Sequence, residues 1–129
     1  MNTAMLCTAL LGLLVFGLGF GVSLTRGATN TTSGYNQDPT DRLYKMVRAH
    51  GNTTEYAPML AILMLLIGAR NPSTWMLWMM WLVTISRYLF AAGIITSPTL
   101  AKPHPLRFIG ALGTYLGGIA LCVAAYLSI

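Results

Sequence analysis

Apolar residues run almost without break through four stretches of the chain, roughly 4–25, 55–69, 74–96 and 106–129. A helix that crosses the hydrocarbon core of a bilayer needs about 20 residues, so the second stretch is too short on its own. It becomes long enough if its helix starts near Pro39 and carries the polar run VRAHGNTTEYAP, residues 47–58, into the membrane. Local signals agree with that start: Asp38 offers an N-cap oxygen, and Pro39 presets φ for the first turn. The run GARNPSTW separates the second helix from the third, and HPLRF opens the fourth at Pro105. The pattern therefore predicts an all-α membrane protein: a four-helix transmembrane bundle of up-down topology, with helices over roughly 4–25, 39–69, 73–96 and 105–128, in one domain spanning residues 1–129.

Composition sharpens this reading. Of 129 residues, 55% are hydrophobic and 9% charged, against about 25% charged in a soluble domain. Arg26, Arg42, Lys45 and Arg48 flank the first connection, Lys102 and Arg107 the third, and Arg70 alone marks the second. By the positive-inside rule, the first and third connections face the cytoplasm and both termini lie on the opposite side. The net charge of +5 then reads as topology and contact with anionic membrane lipids. No basic stripe interleaved with aromatics points to nucleic acid.

Several features receive structural readings. The opening MNTAML has no positive n-region, so the first apolar stretch is expected to be retained as a helix. Trp75 and Trp78 fall where an interfacial aromatic belt would sit. Gly17 with Gly21, and Gly113 with Gly117, have the spacing of close helix packing faces. Cys7 and Cys122 are expected to be buried, inert thiols. His50 and His104 lack partners at metal-ligand spacing, so no metal is expected.

The polar run carries the chemistry. At about 100° per residue, Asp41, Lys45, Arg48, Asn52 and Glu55 fall within an arc of roughly 80°, with Tyr56 beside it and His50 opposite. The stripe continues as Met59, Ile62, Leu63 and Leu66, so its polarity stops about halfway across the membrane. An ionised Glu55 in hydrocarbon costs several kcal/mol unless paired or solvated. Reflecting the helix hairpin about Asn71 puts Arg87 at the depth of Glu55, which predicts an ion pair between them. The same reflection sets Asn52 against Phe90 and Arg48 against Ile94. Such a stripe suits either interhelical polar contacts or a half-depth pocket for a small zwitterionic or anionic ligand.

The run RAHGNTTEYAP resembles the signature of the membrane-associated proteins in eicosanoid and glutathione metabolism, the MAPEG family, whose second helix carries Arg-x-His-x-Asn-x-x-Glu-x-x-Pro. Arg48, His50, Asn52, Glu55 and Pro58 match it. Arg26, Arg87 and Arg107 extend the likeness over nearly the whole chain. The resemblance implies a homotrimer that binds glutathione as co-substrate, without metal, in a cytoplasm-facing cleft between subunits. Arg26, Arg48, Asn52, Glu55, Tyr56 and Arg87 would contact glutathione, and Arg107 would favour its thiolate. The implied activity is a glutathione transferase or peroxidase acting on lipophilic electrophiles or lipid hydroperoxides drawn from the bilayer. The alternatives are a non-catalytic lipid-binding or scaffold member and a small transport or assembly subunit. The chain has Phe90 and Ile94 where many relatives carry an aromatic or histidine and a tyrosine, so both positions lack a polar group, and it departs again at Ala111.

Overall fold

A computed structural model describes residues 1–128 as four α-helices: α1 (Asn2–Thr29), α2 (Arg42–Gly68), α3 (Thr74–Thr96) and α4 (Pro105–Leu127). Ile129, the last residue of the fourth apolar stretch, lies outside the described residues. Helices α1, α3 and α4 are each long and apolar enough to cross a membrane. Helix α2 is as long but carries the polar run in its first half.

Helix ends follow local chemistry, with one correction. Helix α2 starts at Arg42 rather than Pro39, and its N-cap is Asp41, whose carboxylate accepts the Tyr44 amide at 2.8 Å. Asp38 instead accepts both the Thr40 amide and the Thr40 hydroxyl, forming a turn just before the helix. These two donors hold its carboxyl below the usual carboxylate range. Two aspartates three residues apart can both cap, and Asp41 is the one whose side chain reaches the third following amide. Helix α1 runs on to Thr29 and stops at Asn30, which takes the left-handed conformation (φ 51°). Asn71 does the same (φ 52°) in the hairpin between α2 and α3. Pro105 opens α4 at its first turn.

Helix α1 packs on α2 and α3, α4 packs on α3 and α2, and α1 does not meet α4. One apolar cluster draws on all four helices through Cys7, Leu11, Leu60, Met64, Met80 and Leu121, among others. A second joins Leu14, Leu18, Ala49, Ala91 and Ile94. Hydroxyls within these apolar helices bond back to carbonyls one turn earlier, as Thr53 does to Ala49, Thr84 to Met80 and Thr114 to Gly110.

The closest crossing joins α3 and α4. A Cβ on Gly110 would lie 2.7 Å from the Ser86 carbonyl oxygen, and one on Gly93 would lie 2.7 Å from the Arg107 amide. Gly113 and Gly117 face Ser86 and Val83 in the same seam, as their spacing predicts. In helix α1, Gly21 meets Met46, but a Cβ on Gly17 would meet nothing within 4 Å among the described residues. The crossing depends on missing side chains, so Gly110→Ala should destabilise the fold by about 1–3 kcal/mol. Thermal unfolding in detergent would register this; an unchanged midpoint would show that the helices have room to part.

Candidate functional site

The sequence of α2 divides the helix into two unlike faces. Leu43, Ala49, Thr53, Ala57, Leu60 and Met64 are buried against the other helices. Arg48 and Glu55, from the polar stripe, are exposed on the outside of the helix bundle, and Asn52 and Tyr56 lie half-buried at the boundary. His50, opposite the stripe, packs against Gly19 of α1 and is a helix-contacting residue.

Arg87 of α3 is the centre of the arrangement. It is 1% exposed and is the largest fully buried side chain. Its Nη2 donates to Asn52 Oδ1 at 2.6 Å and, more weakly, to Thr53 Oγ1 at 3.5 Å. The guanidinium carbon sits 5.2 Å from the centre of the Tyr56 ring and 5.0 Å from that of Phe90, between two cation–π faces. Its Nε is buried without a partner.

The expected Glu55–Arg87 ion pair is replaced by Asn52–Arg87. Reflection across the hairpin matches depths but ignores direction. Glu55 lies two residues beyond Thr53, about 200° around the helix, and so projects away from the face that meets α3. The Asn52–Phe90 proximity holds in a different form, since both residues contact the same guanidinium. Ile94 belongs to the second apolar cluster and offers no polar group to a ligand.

A groove of about 480 Å³ runs between α2 and α4. Its upper part holds Glu55, Tyr56, Thr114 and Tyr115; further along, its walls are apolar, with Leu63, Ile119 and finally Cys122. Cys7 is buried as expected, whereas Cys122 is exposed along this groove, and both are free thiols. The Tyr56 hydroxyl donates to that of Tyr115 at 3.4 Å, with the two rings 5.9 Å apart. The role of Phe90 as an aromatic face and the reach of Tyr115 were not evident from the chain. Tyr115 stands eight residues beyond Arg107, two helical turns along the same helix, and that spacing was its only signal.

The remaining arginines serve the connections. Arg26 donates through Nη1 to the Gly34 carbonyl at 2.6 Å and bridges to Thr31, tying the loop after α1 to the end of that helix. Arg107, at the start of α4, donates through Nη1 to the carbonyls of Leu100 and Lys102, at 3.3 and 3.1 Å. Lys45 donates to Ser97 at the end of α3. Tyr88 faces away from the site and donates to the Leu10 carbonyl in α1 at 2.8 Å. Among the described residues, no group of three or more His, Cys, Asp or Glu side chains could hold a metal ion.

Comparison with known proteins gives one match of broad extent: the family model described as MAPEG family aligns with residues 4–127. No individual curated protein matches the chain.

Proposed function

The chain belongs to the MAPEG family, membrane proteins that include glutathione transferases and peroxidases, and on that premise we propose that it is a glutathione-dependent transferase or peroxidase for lipophilic substrates. The observation that carries this reading is Arg87. A permanent cation 1% exposed has an amide, a hydroxyl and two ring faces as its immediate partners, none of them anionic. Buried charge of this kind costs several kcal/mol unless neutralised, so the site favours a ligand that brings a carboxylate. Glutathione has two carboxylates, an amine and a thiol. In this reading Arg48 takes a carboxylate, Arg87 acts from behind through Asn52 and Tyr56, which supply hydrogen bonds, Glu55 takes the amine, and Arg26 and Arg107 border the site from the loop side.

The charged stripe on the outside of α2 supports a shared site. Arg48 and Glu55 are exposed on a helix whose neighbouring outward residues, Met59, Ile62 and Leu66, are apolar. A homotrimer in which this face meets another copy shields the stripe from lipid and completes a cleft from two subunits. All four helices then cross the membrane, with the first and third connections on the cytoplasmic side.

Chemistry follows from the thiolate. Its sulfur attacks an electrophilic carbon, forming a C–S bond as the leaving group departs with its electron pair. With a hydroperoxide it attacks the terminal oxygen instead; the O–O bond breaks, the alcohol leaves after protonation, and a second glutathione reduces the sulfenic acid to disulfide and water. The test is turnover in proteoliposomes. Glutathione consumption with an aryl halide or a fatty-acid hydroperoxide, together with a crosslinking ladder that ends at trimer, is the expected outcome. A monomer that binds lipid and leaves glutathione untouched would favour a non-catalytic lipid-binding member.

A further inference from the structure

The loop that anchors Arg107 is itself held from helix α2. Helix α3 has no basic residue in its own last turn and ends at Ser97. Its cation comes from α2, where the half-buried Lys45 donates through Nζ to the Ser97 carbonyl at 3.1 Å. Ser97 is buried, and its hydroxyl donates to the Thr99 carbonyl at 2.8 Å. Leu100 is then gripped on both sides. Its amide donates to the carbonyl of Pro39, just before α2, at 2.9 Å, and its own carbonyl accepts from Arg107 Nη1 at 3.3 Å. The Leu100 side chain packs on the second apolar cluster, to which α2 contributes Ala49. The stem of Arg107 is fixed separately by α3, since a Cβ on Gly93 would lie 3.0 Å from Arg107 Cγ. Only the fork therefore depends on where residues 97–100 sit.

We propose that Lys45 is a positioning residue for Arg107: by fixing the end of α3 against α2, it sets where the Arg107 guanidinium stands relative to α2. Arg48 lies about one turn further along that helix. A ligand whose carboxylate meets α2 and whose thiol meets the start of α4 needs that separation held constant, because the effect of a charge on a thiol falls steeply with distance. Lys45 touches no substrate in this role and acts through Ser97 and Leu100. The inference rests on the proposed function in taking Arg107 as the group that favours the thiolate.

The test uses the purified full chain in detergent and reads three quantities in wild type, Lys45→Met and Lys45→Arg. The first is the ultraviolet thiolate yield with glutathione near pH 7, which Lys45→Met should lower by at least about threefold. The second is binding of S-methylglutathione, which keeps both carboxylates and the amine but has no ionisable sulfur; it should change by less than about twofold. The third is hydrogen exchange at the Leu100 amide, which should quicken by about tenfold or more in Lys45→Met, the scale of one lost hydrogen bond. Lys45→Arg can reach the same carbonyl and should restore all three. A thiolate yield unchanged by Lys45→Met would overturn the inference, as would a parallel loss of S-methylglutathione binding, which marks general damage to the site. A lowered yield with Leu100 exchange unchanged would also overturn it, showing that the lysine acts through its charge alone. Failure of Lys45→Arg to restore the yield counts against it equally. Wild type that binds glutathione but forms no thiolate refutes the proposed role of Arg107 and this inference together, whereas a wild-type thiolate that persists in Lys45→Met refutes this inference alone.

Discussion

Arg107→Leu should cut the thiolate of bound glutathione to the few per cent of the free thiol and lower turnover near pH 7 by about ten- to thirtyfold, because each unit of thiol pKa is worth about 1.4 kcal/mol until the thiol is fully ionised. A free thiol titrates near 8.5, so only a few per cent is nucleophilic at neutral pH. Arg107 lies in the first turn of α4, where its permanent charge and the unpaired amides of the helix start act at the same point. The structure adds a reason for its precision. Both of its hydrogen bonds, to Leu100 and Lys102, use Nη1, so one nitrogen anchors the fork to the loop. A depressed thiol pKa means activity that rises with pH through the lowered value and is flat by about pH 7; the leucine variant should follow the free thiol and keep rising to about pH 8.5. Proton release on mixing with glutathione, with its ultraviolet thiolate band, reports the same quantity directly. If the variant keeps the full thiolate yield, Arg107 is a loop anchor and no more.

The second large effect concerns Arg87. Arg87→Ala should destabilise the fold by about 3–5 kcal/mol, since it empties a fully buried site and strands Asn52. Arg87→Met should behave differently. It fills much of the space without a buried charge, and such replacements are often neutral or stabilising, yet it should eliminate glutathione binding. Double-mutant cycles locate the partner: Asn52→Ala and Arg87→Ala should couple by about 1–3 kcal/mol, while Glu55→Ala and Arg87→Ala should be additive to within about 0.5 kcal/mol. Strong coupling to Glu55 instead would restore the ion pair that depth alone suggested. An Arg87→Met protein that unfolds like Arg87→Ala would show that the guanidinium is needed structurally.

These two arginines also mark what the chain revealed and what it concealed. Helix α4 was legible to its first residue because Pro105 fixes φ there, and the break after α2 because Asn71 and Pro72 cannot extend a helix. The start of α2 was ambiguous because Asp38 and Asp41 are both good caps and only geometry chooses between them. That Arg87 would be held at the depth of the polar run was legible from the hairpin. Its partner was not, because depth along a helix and direction around it are separate quantities, and Asn52 and Glu55 differ mainly in the second. The Gly113–Gly117 spacing announced a close crossing, but Gly93 and Gly110 join it only because α3 and α4 meet at that height. Cys122 and Tyr115 lie on the apolar helix α4, and the chain alone does not distinguish its groove face from the face turned to lipid.

The measurement that tests the central claim most directly is equilibrium binding of glutathione to the purified protein in detergent, with the oligomeric state determined on the same sample. Saturable binding to a trimer, lost in both Arg48→Ala and Asn52→Ala while the trimer persists, is the result this account predicts. An intact trimer that binds no glutathione, or binding that is indifferent to both substitutions, would contradict it.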